Sequence, residues 1–192
     1  MSIVICVVNR NNEFCMAADK RAIKNGTIND NYQKLFKLKE DVYFGMTGIA
    51  EKGHKVLKQL MYNTHLSGTE LIKLANSRVK LSQNKLTIMI AGKNEEGNFF
   101  IWQKNNEGQI EIADVSVDNI AFSLSTNDNS ALFNNHLTSE LKAGKLIEDA
   151  ILSTIKFASE RDDSISTDFH IVMNKNLHER TDNKYEETNN LP

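Results

Sequence analysis

Six short apolar runs, each closed by turn residues and none alternating with polar positions, constrain the fold of this chain more than any other feature. They are Ile3 to Val8, Phe14 to Ala18, Val42 to Met46, Leu86 to Ala91, Phe99 to Trp102 and Phe169 to Met173. A strand that is apolar at every position needs cover on both faces, because successive side chains point to opposite sides of a sheet. The polar stretches Asn9-Arg10-Asn11-Asn12 and Gly92 to Gly97 fit hairpin turns between antiparallel neighbours.

Helical periodicity supplies the cover. Leu146, Ile147, Ala150, Ile151, Ile155 and Ala158 form one apolar stripe, and Leu71, Ile72, Ala75 and Val79 form another, opened by a Ser67-x-x-Glu70 capping box. Val56, Leu57, Leu60 and Met61 mark a third helix, and residues 127 to 141 a weaker fourth. The order is strands, two helices, strands, two helices and a last strand. Strict alternation would imply a parallel sheet, whereas this grouping implies an α+β chain with antiparallel sheets and helices gathered on the outer faces. The expected architecture is a four-layer αββα sandwich, two antiparallel sheets between two helix layers. Residues 1–175 form its one domain, and the polar, aperiodic residues 176–192 read as a mobile tail.

Composition excludes several functions. At 192 residues, 40% hydrophobic and 25% charged, the chain suits one sizeable core. A net charge of −2 with interspersed signs offers no field for a nucleic-acid backbone or an anionic membrane. No apolar stretch approaches the roughly 20 residues of a spanning helix. The run at residue 3 lacks the basic segment and small-residue cleavage site of a secretory leader, so a cytoplasmic location is expected. Cys6 and Cys15 can face each other if the first hairpin turns at Arg10-Asn11, but two reduced, buried thiols are the simpler reading. His54, His65, His136, His170 and His178 never stand at i, i+4 spacing, which argues against zinc. In Gly48 to Lys55 the glycines have phosphate-loop spacing, but His54 and Lys55 stand where the Lys and the Ser/Thr belong. Asp162-Asp163 reads as a solvated turn, and Asn25-Gly26-Thr27 is a sequon only in a secreted chain. No cofactor or metal is expected.

An ordered set of residues remains. Ser2 opens the first strand, "AADKRA" closes the second, "YQKLFKL" begins another, and "YFGMTGIAE" runs from strand into helix. In the order and spacing of these four segments the chain resembles the proteasome-type N-terminal nucleophile (Ntn) hydrolases, especially the β-type proteasome subunits and their simpler bacterial relatives. The resemblance covers most of residues 2 to 173 and is most specific from Ala17 to Glu51. It implies the Ntn hydrolase fold and a threonine-type peptidase chemistry. The hydroxyl of the first mature residue attacks a peptide carbonyl, and that residue's own α-amine is the base. Ser2 fills this role once Met1 is removed. An α-amine has a reference pKa of roughly 7.7–8.0, so a neutral fraction exists near neutral pH, and a nearby Lys cation would enlarge it.

By the same resemblance Lys34 is that Lys and Asp19 its carboxylate partner. Gly48 is the glycine whose backbone N–H holds the oxyanion, and Asp163 and Ser166 support the amine. The resemblance further implies a polypeptide substrate, a homo-oligomeric ring and an unfolding ATPase as partner. Four departures stand beside it. Ser2 lacks the methyl that fixes a Thr side chain. Seating Ser2 as nucleophile requires an extra residue before Asp19, and a register set by Ile3-Val4 would seat Met1 there instead. Ser123-Leu124-Ser125 stands where Gly-Ser-Gly is common, leaving Ser123 or Ser125 to substitute for the central Ser. Thr167-Asp168 replaces Gly-Gly. Two alternatives follow, a catalytically inactive structural or binding subunit with the same fold and a hydrolase acting on small amides.

Overall fold

The structure, a computed structural model, describes residues 2–9, 13–79, 86–105, 110–114, 120–125 and 129–174. Strands β1 (Val4–Asn9) and β2 (Phe14–Asp19) form a sheet with β10 (Ile120–Ser125) and β11 (Phe169–Met173), in the order β10-β1-β2-β11. The second sheet has the order β5-β6-β7-β8-β9, with β5 Leu35–Lys39, β6 Val42–Gly48, β7 Leu86–Lys93, β8 Phe99–Asn105 and β9 Ile110–Asp114. Every described pairing is antiparallel.

Strand parity builds three cores from these two sheets. Val4, Cys6, Val8, Phe14 and Met16 face Leu35, Tyr43, Met89 and Ile101 of the opposite sheet, forming the middle layer. Ile3, Ile5, Val7, Cys15 and Ala17 point the other way, onto helices α3 (Ser130–Lys142) and α4 (Ile147–Ser159) through Phe133, Leu137 and Ile151. Phe44, Met46, Ile88, Ile90 and Trp102 pack under α1 (Ala50–Met61) and α2 (Gly68–Arg78) through Val56, Leu60 and Leu71. The result is the αββα sandwich, with β1, β2, β6 and β7 buried on both faces over nearly their whole length. β11 is an edge strand and only half-buried, so its apolar run overstates its cover. The sheets come close at Gly45, where a Cβ would fall 2.7 Å from both Met16 Cε and Val4 Cγ1.

Parity also separates the cysteines. Cys6 faces the middle layer and Cys15 faces the helices, so the cross-hairpin encounter does not occur and both thiols are free, with pKa values pushed up chiefly by burial. The capping box closes as expected: Glu70 N donates to Ser67 Oγ at 3.1 Å and Ser67 N donates to Glu70 Oε2 at 2.9 Å. Among the described residues, five strands are not marked by apolar runs: β5, β9, β10 and the pair β3 (Ala22–Lys24) and β4 (Thr27–Asn29). The last two form a separate ribbon turning at Asn25-Gly26, both with positive φ (50° and 80°), as a tight two-residue hairpin requires. Met1, the hairpin tip 10–12 and the tail 176–192 lie outside the described residues.

Candidate active site

The register of the first hairpin decides which residue stands at the mouth of the sandwich. Val4 pairs with Ala18, so Ile3 lies opposite Asp19: Ile3 N donates to Asp19 Oδ1 at 2.8 Å and Asp19 N donates to Ile3 O at 3.2 Å. Ser2 follows one position beyond. It is buried and lines a cleft of about 960 Å³, within the range of ligand pockets.

Asp19 is fully buried at the floor of this region. Lys34 Nζ donates to both of its carboxylate oxygens at 2.8 Å, Arg21 N donates to Oδ2 at 3.0 Å, and Ser166 N approaches Oδ2 at 3.4 Å. Such a carboxylate is held by charge-assisted bonds from several segments at once. Lys34 is only 2% exposed, and burial holds its ammonium below the usual lysine range, while the Asp19 carboxylate opposes that shift. Lys34 lines the same cleft as Ser2.

Gly48 is the last residue of β6, at φ 93°, a backbone conformation that disfavours any side chain. It is exposed at the cleft, separated from α1 only by the N-cap Ile49, and the α1 N-terminus adds partial positive charge there. Its neighbour Thr47 is buried, with Oγ1 3.0 Å from Ser125 Oγ. Ser125 pairs with Val4 and faces the sheet-to-sheet side, whereas Leu124 faces the helices. Of the three residues at 123–125, Ser125 pairs with Val4, two residues from Ser2, whereas Ser123 pairs with Cys6 farther along the strand; the Ser123 side chain lies outside the description.

Ser2, Lys34 and Gly48 thus line one cleft, Asp19 anchors Lys34 beneath it, and Ser166 touches Asp19 through its backbone while its Oγ accepts from Asp168 N at 3.0 Å. Asp163 is placed differently. It is exposed, is not among the cleft-lining residues, and joins the site through its carbonyl, which accepts from Arg21 Nη1 at 2.6 Å. Three contributors went unassigned in the sequence. Arg21 stands in "AADKRA", Thr47 stands in "YFGMTGIAE", and the Asn25-Gly26 turn signals the ribbon that walls the cleft opposite β6. His170 is a fourth. It lies across from Ala18, its Nδ1 is buried without a hydrogen-bond partner, and burial, then Lys20 and Lys34, hold its pKa below the usual histidine value.

Two antiparallel sheets between helix pairs are the architecture of the proteasome-type Ntn hydrolase fold, and known structures share it. The chain superposes on eukaryotic HslV from Trypanosoma brucei with TM-score 0.67 at 10% identity, covering 89% of this chain and 98% of that one. It superposes on Anbu, an ancestral beta-subunit, from Yersinia bercovieri with TM-score 0.70 at 10% identity, covering 89% and 80%. No protein-family model matches the sequence, nor does any curated protein. Among the described residues no helix is long and apolar enough to cross a membrane.

Proposed function

We propose that this chain is a proteasome-like peptidase whose nucleophile is the hydroxyl of Ser2, exposed by removal of Met1. The observation that carries the reading is the convergence of Ser2, Lys34 and Gly48 on one cleft, with Lys34 fixed by the fully buried Asp19. In this reaction Ser2 Oγ bonds to the peptide carbonyl carbon and its proton passes to the neutral α-amine. The Gly48 N–H steadies the oxyanion, and the amine returns the proton to the departing peptide nitrogen as the C–N bond breaks. Water then attacks the acyl ester, giving its proton through the same amine to Ser2 Oγ. The Lys34 ammonium favours the neutral amine and stabilises charge developing at Ser2.

A polypeptide substrate, an oligomeric ring and an unfolding ATPase accompany the reading as expectations of the resemblance. The exposed position of Asp163, away from the cleft, favours a second reading, an inactive subunit that keeps the fold for assembly. One experiment separates them. Intact mass spectrometry of the purified chain reads Met1 removal, and incubation with an electrophile selective for N-terminal Ser and Thr, followed by peptide mapping, reads nucleophilicity. The peptidase reading expects a chain starting at Ser2, an adduct on Ser2, and loss of the adduct in Ser2→Ala. Retained Met1, or a free but unlabelled Ser2, overturns it.

A further inference from the structure

The ribbon β3–β4 walls the cleft, yet it pairs with neither large sheet. Its residues are mostly exposed, including the cross-strand pair Ile23 and Ile28 at 48% and 56%. A two-stranded ribbon of three-residue strands has little stability of its own, so its position over the cleft must be set at its base. The base is held by Tyr32 N donating to Lys20 O at 2.9 Å and by Arg21.

The Arg21 guanidinium holds two different segments. Nε and Nη2 donate to Asp30 Oδ1 and Oδ2 at 2.6 and 3.2 Å, a bidentate pair at the foot of the ribbon. Nη1 donates to the carbonyl of Asp163, in the loop that leads to Ser166 and so to Asp19. The backbone N–H of Arg21 itself bonds Asp19. A planar fork can hold these directions together; an ammonium, as a point charge, cannot reproduce the bidentate geometry.

We infer that Arg21 is a positioning residue, a clamp that sets the β3–β4 cleft wall against the 163–166 loop supporting Asp19, so that the substrate wall and the Asp19–Lys34 pair keep one relative geometry. Its kinetic consequence rests on the peptidase reading; its structural content does not. The two arms are separable. Asp30→Ala releases the wall alone, and Arg21→Lys weakens both arms while keeping the charge.

The test measures amide hydrogen exchange and, in parallel, peptide turnover on the full chain. Because the Arg21–Asp30 pair is partly exposed, the expected changes are modest: about three- to fivefold faster exchange over 22–29 in Asp30→Ala, with 163–168 unchanged, and faster exchange over both segments in Arg21→Lys. In turnover, Asp30→Ala raises KM about three- to fivefold with kcat nearly constant, Arg21→Lys also lowers kcat, and Asp30→Glu restores wild-type values. Exchange unchanged over both segments in Arg21→Lys overturns the clamp. So does an active enzyme whose exchange responds while KM and kcat do not. Exchange that responds as expected in a chain with no turnover supports the clamp and overturns the peptidase reading instead.

Discussion

Replacing Asp19 with Asn tests the buried pair on which the site is built. The change preserves shape but removes the charge that faces Lys34, and an amide placed there turns N–H donors toward an ammonium that is itself a donor. Asp19 is 0% exposed and the Lys34 side chain 3%, so the orphaned ammonium has no water to replace its partner. Breaking a buried pair of this kind costs about 3–5 kcal/mol. For a chain of this length that corresponds to a fall in melting temperature of about 8–15 °C. Urea unfolding followed by the fluorescence of Trp102, the only tryptophan and buried in the core, measures the loss.

The pH dependence identifies the cause of that loss. Without Asp19, the Lys34 pKa falls further below its ordinary value. Between the folded pKa and the unfolded one the unfolded chain then binds more protons, so the variant's stability rises with pH. The deficit relative to wild type should shrink between about pH 7 and about pH 9.5, where neutral Lys34 needs no counter-ion. Adding Lys34→Met to Asp19→Asn should recover most of the loss at neutral pH, because a neutral pair of similar volume carries no desolvation cost. A deficit under about 1 kcal/mol, or one equal at both pH values and untouched by Lys34→Met, would refute the reasoning.

Two further outcomes follow from the packing and the charges. Gly45→Ala inserts a methyl at the close approach of Met16 and Val4 and should cost about 1–3 kcal/mol in urea unfolding; because Val4 lies two residues from Ser2, labelling of Ser2 should also slow. His170 is held below its usual pKa in the folded chain, so the folded state binds fewer protons than the unfolded one. Stability should therefore fall as pH drops below about 6.5 and level off beneath the folded pKa, with a slope below the one-proton limit of about 1.4 kcal/mol per pH unit. His170→Phe should remove that component when unfolding free energies are compared across the window, and an unchanged slope would count against it.

The candidate site was legible in the sequence where its chemistry is local. Asp19 and Lys34 stand in short segments at the edges of apolar strands, where a charged residue is conspicuous, and Gly48 sits between an apolar strand and a helical pattern. Arg21 and Thr47 occupy the same segments, but nothing local to them shows a partner. Arg21 finds Asp30 nine residues away and Asp163 at 142, and Thr47 finds Ser125 across 78. Asp163, assigned only through the resemblance, is exposed, and its loop turns its carbonyl to Arg21. The ribbon was missed because its strands are three residues long and mostly exposed, leaving only the Asn25-Gly26 turn as a signal.

By itself the sequence determined the layers. Continuous apolar runs must be covered twice, amphipathic stripes must cover once, and their grouping leaves the four-layer sandwich as the arrangement that buries both. It could not choose between Met1 and Ser2 at the first strand's mouth, nor between Ser123 and Ser125. Where a residue stands along its neighbours, and which face it takes, are questions of register, and a shift of one residue sends every side chain of a strand to the opposite face. The pairing of Val4 with Ala18 and with Ser125 sets Ser125 at the end of the sheet where Ser2 lines the cleft, because only the assembled sheet aligns strands so distant in sequence.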